Sequence, residues 1–223
     1  MVAAVVVVAL SVYLFNNSSA QDFQAGVGDS LAVILPDASK ATLNAGSSLS
    51  VNERSWDKVR EVKLNGEAFF DVRKGSAFSV ITDQGKVTVL GTEFNVKERD
   101  KFFEVACYEG KVAVETMNSE YTLQVGDILR LVDGKVQLIT TSFSKPSWLD
   151  EKSIFKSTPI VEVLDELERQ YGITISGDLR NSKSPFTGNV THKNLEMALQ
   201  AVTIPLNLTY TITGDDVVLK MDQ

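Results

Sequence analysis

The sequence predicts a mainly β protein with an α+β ending: an antiparallel β-sandwich or short β-solenoid, followed by a small β-α-β-β-α-β-β domain. Three observations lead there. From about residue 27 to residue 139, short apolar-alternating runs are broken by turn residues at intervals of roughly 8 to 12. A polar stretch, TTSFSKPSWLDEKSI, interrupts the pattern at 140–154. Beyond it, apolar residues recur at helical spacing in two places, with strand-like runs between and after them. The chain is therefore divided into an apolar leader (1–20), an all-β domain (21–139), a linker (140–154) and an α+β domain (155–223).

The leader, MVAAVVVVALSVYLF, is nearly unbroken apolar sequence. It is shorter than the ~20 residues of a membrane crossing and matches the core of a signal peptide. Ser18 and Ala20 supply small residues for cleavage, yet no Lys or Arg precedes the run. The alternative is the outer part of a transmembrane helix whose cytoplasmic beginning is missing. A third reading, a buried β-strand, has against it that such strands run shorter; the first two place residue 21 onward outside the cytoplasm.

In the β region, LAVIL runs into Pro36-Asp37-Ala38-Ser39, and REVKL into Asn65-Gly66 and EAFFDV. Asn-Gly is a strong hairpin signal, because both residues tolerate positive φ. Ala68, Phe70 and Val72 share one face, so Phe69 goes to the other beside Glu67 and Asp71, either covered by another layer or exposed at a contact site. VLGTEFNV changes parity: Val87 and Val89 are odd, Phe94 and Val96 even. Either Gly91 forms a β-bulge that flips the following side chains, or both faces of one strand are buried. Glu93 and Asn95 would point away from the core. FSVIT, FFEVACY, KVAVE, TLQV, DILRLV and KVQLIT complete the series.

Trp148 is expected to anchor the linker. After it Ile160, Leu164, Leu167 and Tyr171 keep helical spacing, with Thr158 as N-cap, Pro159 in the first helical position and Gly172 as the stop. ITIS and PFTGNV read as strands. A second helix carries Leu195, Ala198, Leu199 and Val202, capped by Asn194 and ended by Pro205. LNLTYTI and VVLKM flank Gly214-Asp215 as the last strands.

Composition excludes several functions. A formal charge of −7 disfavours non-specific nucleic-acid binding, which needs Lys and Arg to displace counterions. One cysteine, Cys107, allows no intramolecular disulfide, and its alternation with Phe103 and Val105 turns it to the core. One histidine, His192, excludes sites with two or three His ligands; just before a predicted helix it reads as solvated. No nucleophile elbow, Walker loop, cysteine pair or H-E-x-x-H occurs. A carboxylate pair for glycoside hydrolysis stays open among 29 acidic residues. Glu162, Asp165, Glu166 and Glu168 read as a solvated helix face, with Arg169 paired to Asp165 at i, i+4. No catalytic residue, cofactor or metal is implied. A two-domain extracytoplasmic binding or sensing module leads.

LPDASKATLNAGSSLSV, REVKLNGEAFFDV, FSVITDQGKVTVLGTEFNV and YEGKVAVE together resemble the FecR-type family of transmembrane anti-sigma regulators. FKSTPIVEVLDELERQYGITI and FTGNVTHKNLEMALQAVTIPLNLTY resemble the domain that often ends such proteins, which is similar to the short signalling domain of secretins and TonB-dependent receptors. The matching motif residues are Gly66, Glu67, Phe70, Gly91, Thr92, Phe94, Asn95 and Gly110, all in architectural roles. The family usually has Gly where Ala38 stands, a change a type I turn tolerates. The cytoplasmic sigma-binding segment is absent from this chain. The resemblance implies a single-pass inner-membrane protein, mostly periplasmic, that contacts the signalling domain of an outer-membrane TonB-dependent receptor. It also implies a sigma factor partner, reached through the absent segment, and no nucleic acid. The rival reading is a carbohydrate-binding β-sandwich, which would need Phe69, Phe102, Tyr108 and Tyr121 lined up on one exposed face.

Overall fold

A computed structural model describes residues 20–221, except 178, 180, 181 and 183. Apart from Ala20, the leader lies outside the described residues. Among the described residues no helix is long and apolar enough to cross a membrane.

The strand that organises the first domain is not a hairpin. REVKLNGEAFFD forms one strand, β5 (Arg60–Asp71), straight through Asn65-Gly66. Its first half pairs with β4 (Ser48–Asn52) and, in parallel, with β6 (Phe78–Ile81). Its second half pairs with β3 (Lys40–Leu43) and β8 (Glu93–Arg99). Gly66, at φ +113, is the corner where the strand leaves one half-sheet for the other. The positive φ that makes Asn-Gly a turn signal here bends a strand instead.

Around β5 a 13-stranded sheet curls on itself. One half holds β1 (Ala20–Gln24), β4, β6, β7 (Gly85–Val89), β10 (Val112–Thr116) and β11 (Glu120–Leu123). The other holds β2 (Leu31–Ile34), β3, β8, β9 (Phe102–Cys107), β12 (Asp127–Val132) and β13 (Lys135–Thr140). The halves enclose one core, in which Phe70 stacks on Phe94 at 5.1 Å and meets Phe78 from the opposite half at 5.9 Å. The architecture is a sandwich made from a curled sheet, not a solenoid of stacked repeats.

The parity change in VLGTEFNV has the same origin. Val87 and Val89 belong to β7 in one half, Phe94 and Val96 to β8 in the other. The chain changes sheet between them, so neither the bulge nor a single two-faced strand applies. Leu90 is exposed at the crossing, and a Cβ on Gly91 would sit 2.5 Å from Lys74 Cγ. Ala38 has φ 62, in the left-handed region, so its turn is not the relaxed one expected for a non-glycine residue. Cys107 is fully buried, and burial pushes its thiol up to about 11.

Ser147–Asp150 form a 3-10 turn, and the second domain's first strand, β14 (Lys152–Pro159), takes the last residues of the expected linker. Thr158 pairs with Phe186 in that strand, so it does not cap the helix; extended Pro159 precedes α1 (Ile160–Tyr171), without a side-chain cap. Gly172, at φ 67, ends α1 as expected. Then come β15 (Thr174–Gly177), β16 (Pro185–Thr191), α2 (Leu195–Thr203), β17 (Leu208–Thr213) and β18 (Asp216–Met221). Asn194 caps α2, its side chain accepting from Met197 N at 2.9 Å. α2 ends at Thr203, followed by a 3-10 turn containing Pro205. β14 pairs with β16, and β18 lies between β15 and β17. A second core forms around Phe155, Leu164, Leu167, Phe186, Leu199 and Val217.

Candidate functional site at the domain interface

Alternation along a strand sends every second side chain out of the core. On β5, β8, β9 and β12 these outward residues are Glu67, Lys97, Glu104 and Arg130. The register sets them side by side: Arg130 opposite Glu104, Glu104 opposite Lys97, Lys97 opposite Glu67. The result is a row of alternating charge across four strands. Cross-strand opposite charges favour one another. Here they also have to survive burial, since Glu67 is 6% exposed, Lys97 8% and Arg130 5%.

The second domain and the linker bury them. Arg130 Nε donates to Glu104 at 2.6 Å, and its Nη1 donates to the Lys156 carbonyl of β14 at 2.7 Å. Asn95 donates to Glu67 Oε1 at 2.9 Å and accepts from Trp148 Nε1 at 3.2 Å. Trp148 thus anchors the linker, on the β domain. Asn44, in the turn after β3, donates to Glu67 at 3.0 Å and towards Glu166 of α1 at 3.4 Å. The Arg130 and Lys97 cations lie 5.4 and 5.6 Å from the Phe102 ring centroid.

Glu166 is the pivot. It is 3% exposed, not solvated. It accepts from Arg169 at 3.0 Å, Gln170 at 2.9 Å and Ser153 at 3.3 Å, and lies 3.7 Å from Lys97 Nζ. Arg169 pairs with Glu166 at i, i+3. Gln170 also donates to Asn44 Oδ1 at 2.9 Å, and the Arg169 carbonyl accepts from Gly28 N at 2.9 Å. Burial pushes the Glu166 carboxyl up; Lys97 and Arg169, with the donors on it, more than reverse this and hold it well below the usual range. Glu162, one turn earlier, lacks that set: among the described residues its Oε2 has no hydrogen-bond partner, and burial pushes the carboxyl up to about 7 against the pull of Lys97. His192 is half-buried, with Nε2 2.9 Å from Ser153 Oγ, and burial lowers its pKa against the pull of Glu166. It is not the solvated residue its position suggested.

This arrangement binds one domain to another. Among the described residues no group of three or more His, Cys, Asp or Glu could hold a metal ion.

A model of the FecR protein family matches residues 21–113, and one of the FecR C-terminal domain matches residues 152–219. The chain belongs to the FecR-type anti-sigma factors. Two crystal structures of a protein from Parabacteroides distasonis ATCC 8503, assigned as a candidate anti-sigma factor, share this architecture. Each is 28% identical. The one at 1.65 Å resolution has a TM-score of 0.81 and covers 91% of this chain; the one at 2.50 Å has 0.82 and 92%, with all of the other chain covered in both. No curated protein matches the sequence. The family is regulatory rather than catalytic, and membership implies a sigma factor partner.

The FecR motif residues divide in two. Gly66, Phe70, Gly91, Thr92, Phe94 and Gly110 build the β domain. Phe70 and Phe94 fill its core, and buried Thr92 bonds Val72 through its backbone and the Lys111 carbonyl through Oγ1. A Cβ on Gly110 (φ +75) would meet that Oγ1 at 2.9 Å. Glu67 and Asn95 do something else: they face away from the core, as parity required, but into the interface. Lys97, Glu104, Arg130, Asn44 and Glu166 were missed from the sequence. The signal for Glu166 was the spacing Glu162, Glu166, Arg169, Gln170, a second stripe along α1. Of the aromatics in the carbohydrate reading, Phe69 packs on Tyr108 at 6.1 Å; Phe102 and Tyr108 line the interdomain cleft; Tyr121 lies on β11 against the β-domain core. They do not form one exposed row.

Proposed function

We propose that this FecR-type chain is the periplasmic sensor part of a single-pass inner-membrane anti-sigma regulator. A TonB-dependent receptor in the outer membrane presents its signalling domain, this chain receives it, and the contact changes the availability of an extracytoplasmic-function sigma factor. The sigma factor is engaged through a cytoplasmic segment, and no bond-breaking step is needed. One observation carries most of the reading. The C-terminal domain is tied to the β domain through one buried polar cluster, while its outer strand is free to pair. Among the described residues β17 pairs with β18 alone. An open strand edge takes an added strand from a partner through main-chain hydrogen bonds.

Hydrogen exchange on the whole chain, with and without the signalling domain of a TonB-dependent receptor from the same genome, tests this. Binding with new protection of the amides of Leu208–Thr213 is expected. No binding, or binding that leaves those amides unprotected, rejects docking at this edge.

A further inference from the structure

A cavity of about 240 Å³ opens between the charge row, the linker and β14. An apolar cavity of about 150 Å³ accepts a benzene ring, so this one has room for a six-membered ring with substituents. Its floor carries Glu67, Lys97, Glu104 and Arg130; Tyr108 and Trp148 add aromatic surface. Lys97 is the telling group. It is more than nine-tenths buried and lines the cavity, yet the carboxylate oxygens that pair with it, on Glu67 and Glu166, stand at 3.8 and 3.7 Å. Those are ion-pair distances, too long for hydrogen bonds. A buried ammonium with three donors calls for an oxygen acceptor near it.

The lining restricts that acceptor. An anion would face Glu67 and Glu104; a cation would face Lys97 and Arg130. Neither gains a clean counter-charge for the water it gives up. A hydroxyl suits both, accepting from Lys97 and donating to a carboxylate. Carbon-bound hydrogens of a ring suit the faces of Tyr108 and Trp148. The geometry points to a binding site for a neutral polyhydroxylated ring, a monosaccharide or cyclitol, held between the two domains. This goes beyond the relay and does not depend on it. The ligand touches residues of the β domain, the linker and β14 at once, so it stabilises the docked arrangement of the domains.

Calorimetric titration of the whole chain with glucose, galactose, mannose and myo-inositol, beside glucuronate and glucosamine, tests the site. At least one neutral probe binds saturably with a Kd of about 1 mM or tighter and raises Tm with its concentration. The hexoses against inositol separate sugar from cyclitol. The charged analogues bind about tenfold or more weakly. Ile128→Phe, which fills the cavity and removes no polar group, weakens binding to a similar extent. Amide NMR shifts at Asn95–Lys97, Tyr108 and 142–148 map the site without any variant. The proposal fails if no neutral probe saturates by about 50 mM, if glucuronate or glucosamine binds as well as the neutral ring, or if the shifts fall elsewhere. Binding by Ile128→Phe equal to that of the parent overturns it too.

Discussion

A Cβ built on Gly66 would lie 2.6 Å from Ser47 Oγ, 2.7 Å from Ser47 Cβ and 2.8 Å from Arg99 Nη1. Arg99 is fixed by the carbonyls of Ala45 and Gly46 and by Ser47 Oγ, so it has little freedom to withdraw. The backbone at φ +113 adds strain of its own for any L side chain. Gly66→Ala is therefore expected to lower unfolding free energy by about 2–4 kcal/mol, read from urea denaturation. Gly134→Ala is the control. Its φ of +74 also disfavours a side chain, but a Cβ there meets nothing within 4 Å. Its cost should stay near the ~1–2 kcal/mol of left-handed backbone alone. If the two variants lose the same amount, the corner at Gly66 is not sterically closed. Residue by residue, this site shows what the sequence displays and what it hides. Asn65-Gly66 announces positive φ. Whether the chain then turns back or continues as a bent strand depends on β3 and β8, whose pairing with β5 no local pattern records.

α1 buries two stripes. Ile160, Val163, Leu164 and Leu167 enter the second core, and that stripe was legible because apolar spacing at 3.6 has one cheap explanation. Glu162 and Glu166 form the other stripe, with Arg169 and Gln170 after them. An acidic helix face is normally solvated, and the groups that make this one worth burying, Lys97 and Asn44, lie on distant strands. The strand residues Lys97, Glu104 and Arg130 were hidden for the same reason: alternation assigns them to the second face but does not say what covers it. The two glutamates respond oppositely to pH. Folding raises the Glu162 carboxyl from its ordinary 4.5 to about 7. Its contribution is full below pH 4.5, where folded and unfolded chains both hold the proton. It is lost as pH rises to 7, because the folded chain must then ionise a buried group facing Asp165 and Asp100 as well as Lys97 and Arg169. Glu162→Gln should remove that slope. Compared with the parent, the variant is expected to gain about 2–3 kcal/mol between pH 4.5 and pH 8. Denaturation at several pH values measures this; parallel pH profiles for the two proteins would refute it.

The whole molecule joins two separate apolar cores through a polar interface, and such an interface is where two domains can come apart. Glu166 holds it from both sides, bonded within α1 to Arg169 and Gln170 and reaching across to Asn44 and Lys97. Its carboxyl titrates below the usual range. Its contribution is therefore present above an unfolded value of about 4.5 and lost as pH falls through the folded one. Removing one partner of a buried ion network costs about 3–5 kcal/mol, because the others stay buried without it. That loss falls on the contact between the domains, while each core keeps its own apolar packing. Glu166→Ala is thus expected to split one cooperative thermal transition into two, to enlarge the radius of gyration in solution scattering, and to expose 140–151 to protease. Acid should do the same to the parent chain as pH falls below the ordinary carboxylate value. If Glu166→Ala still unfolds in a single transition with unchanged dimensions, the Trp148 anchor and the Arg130 bond to β14 hold the domains unaided. The interface would then be a rigid joint, and a receptor docked on the C-terminal domain would have to act by moving the whole chain.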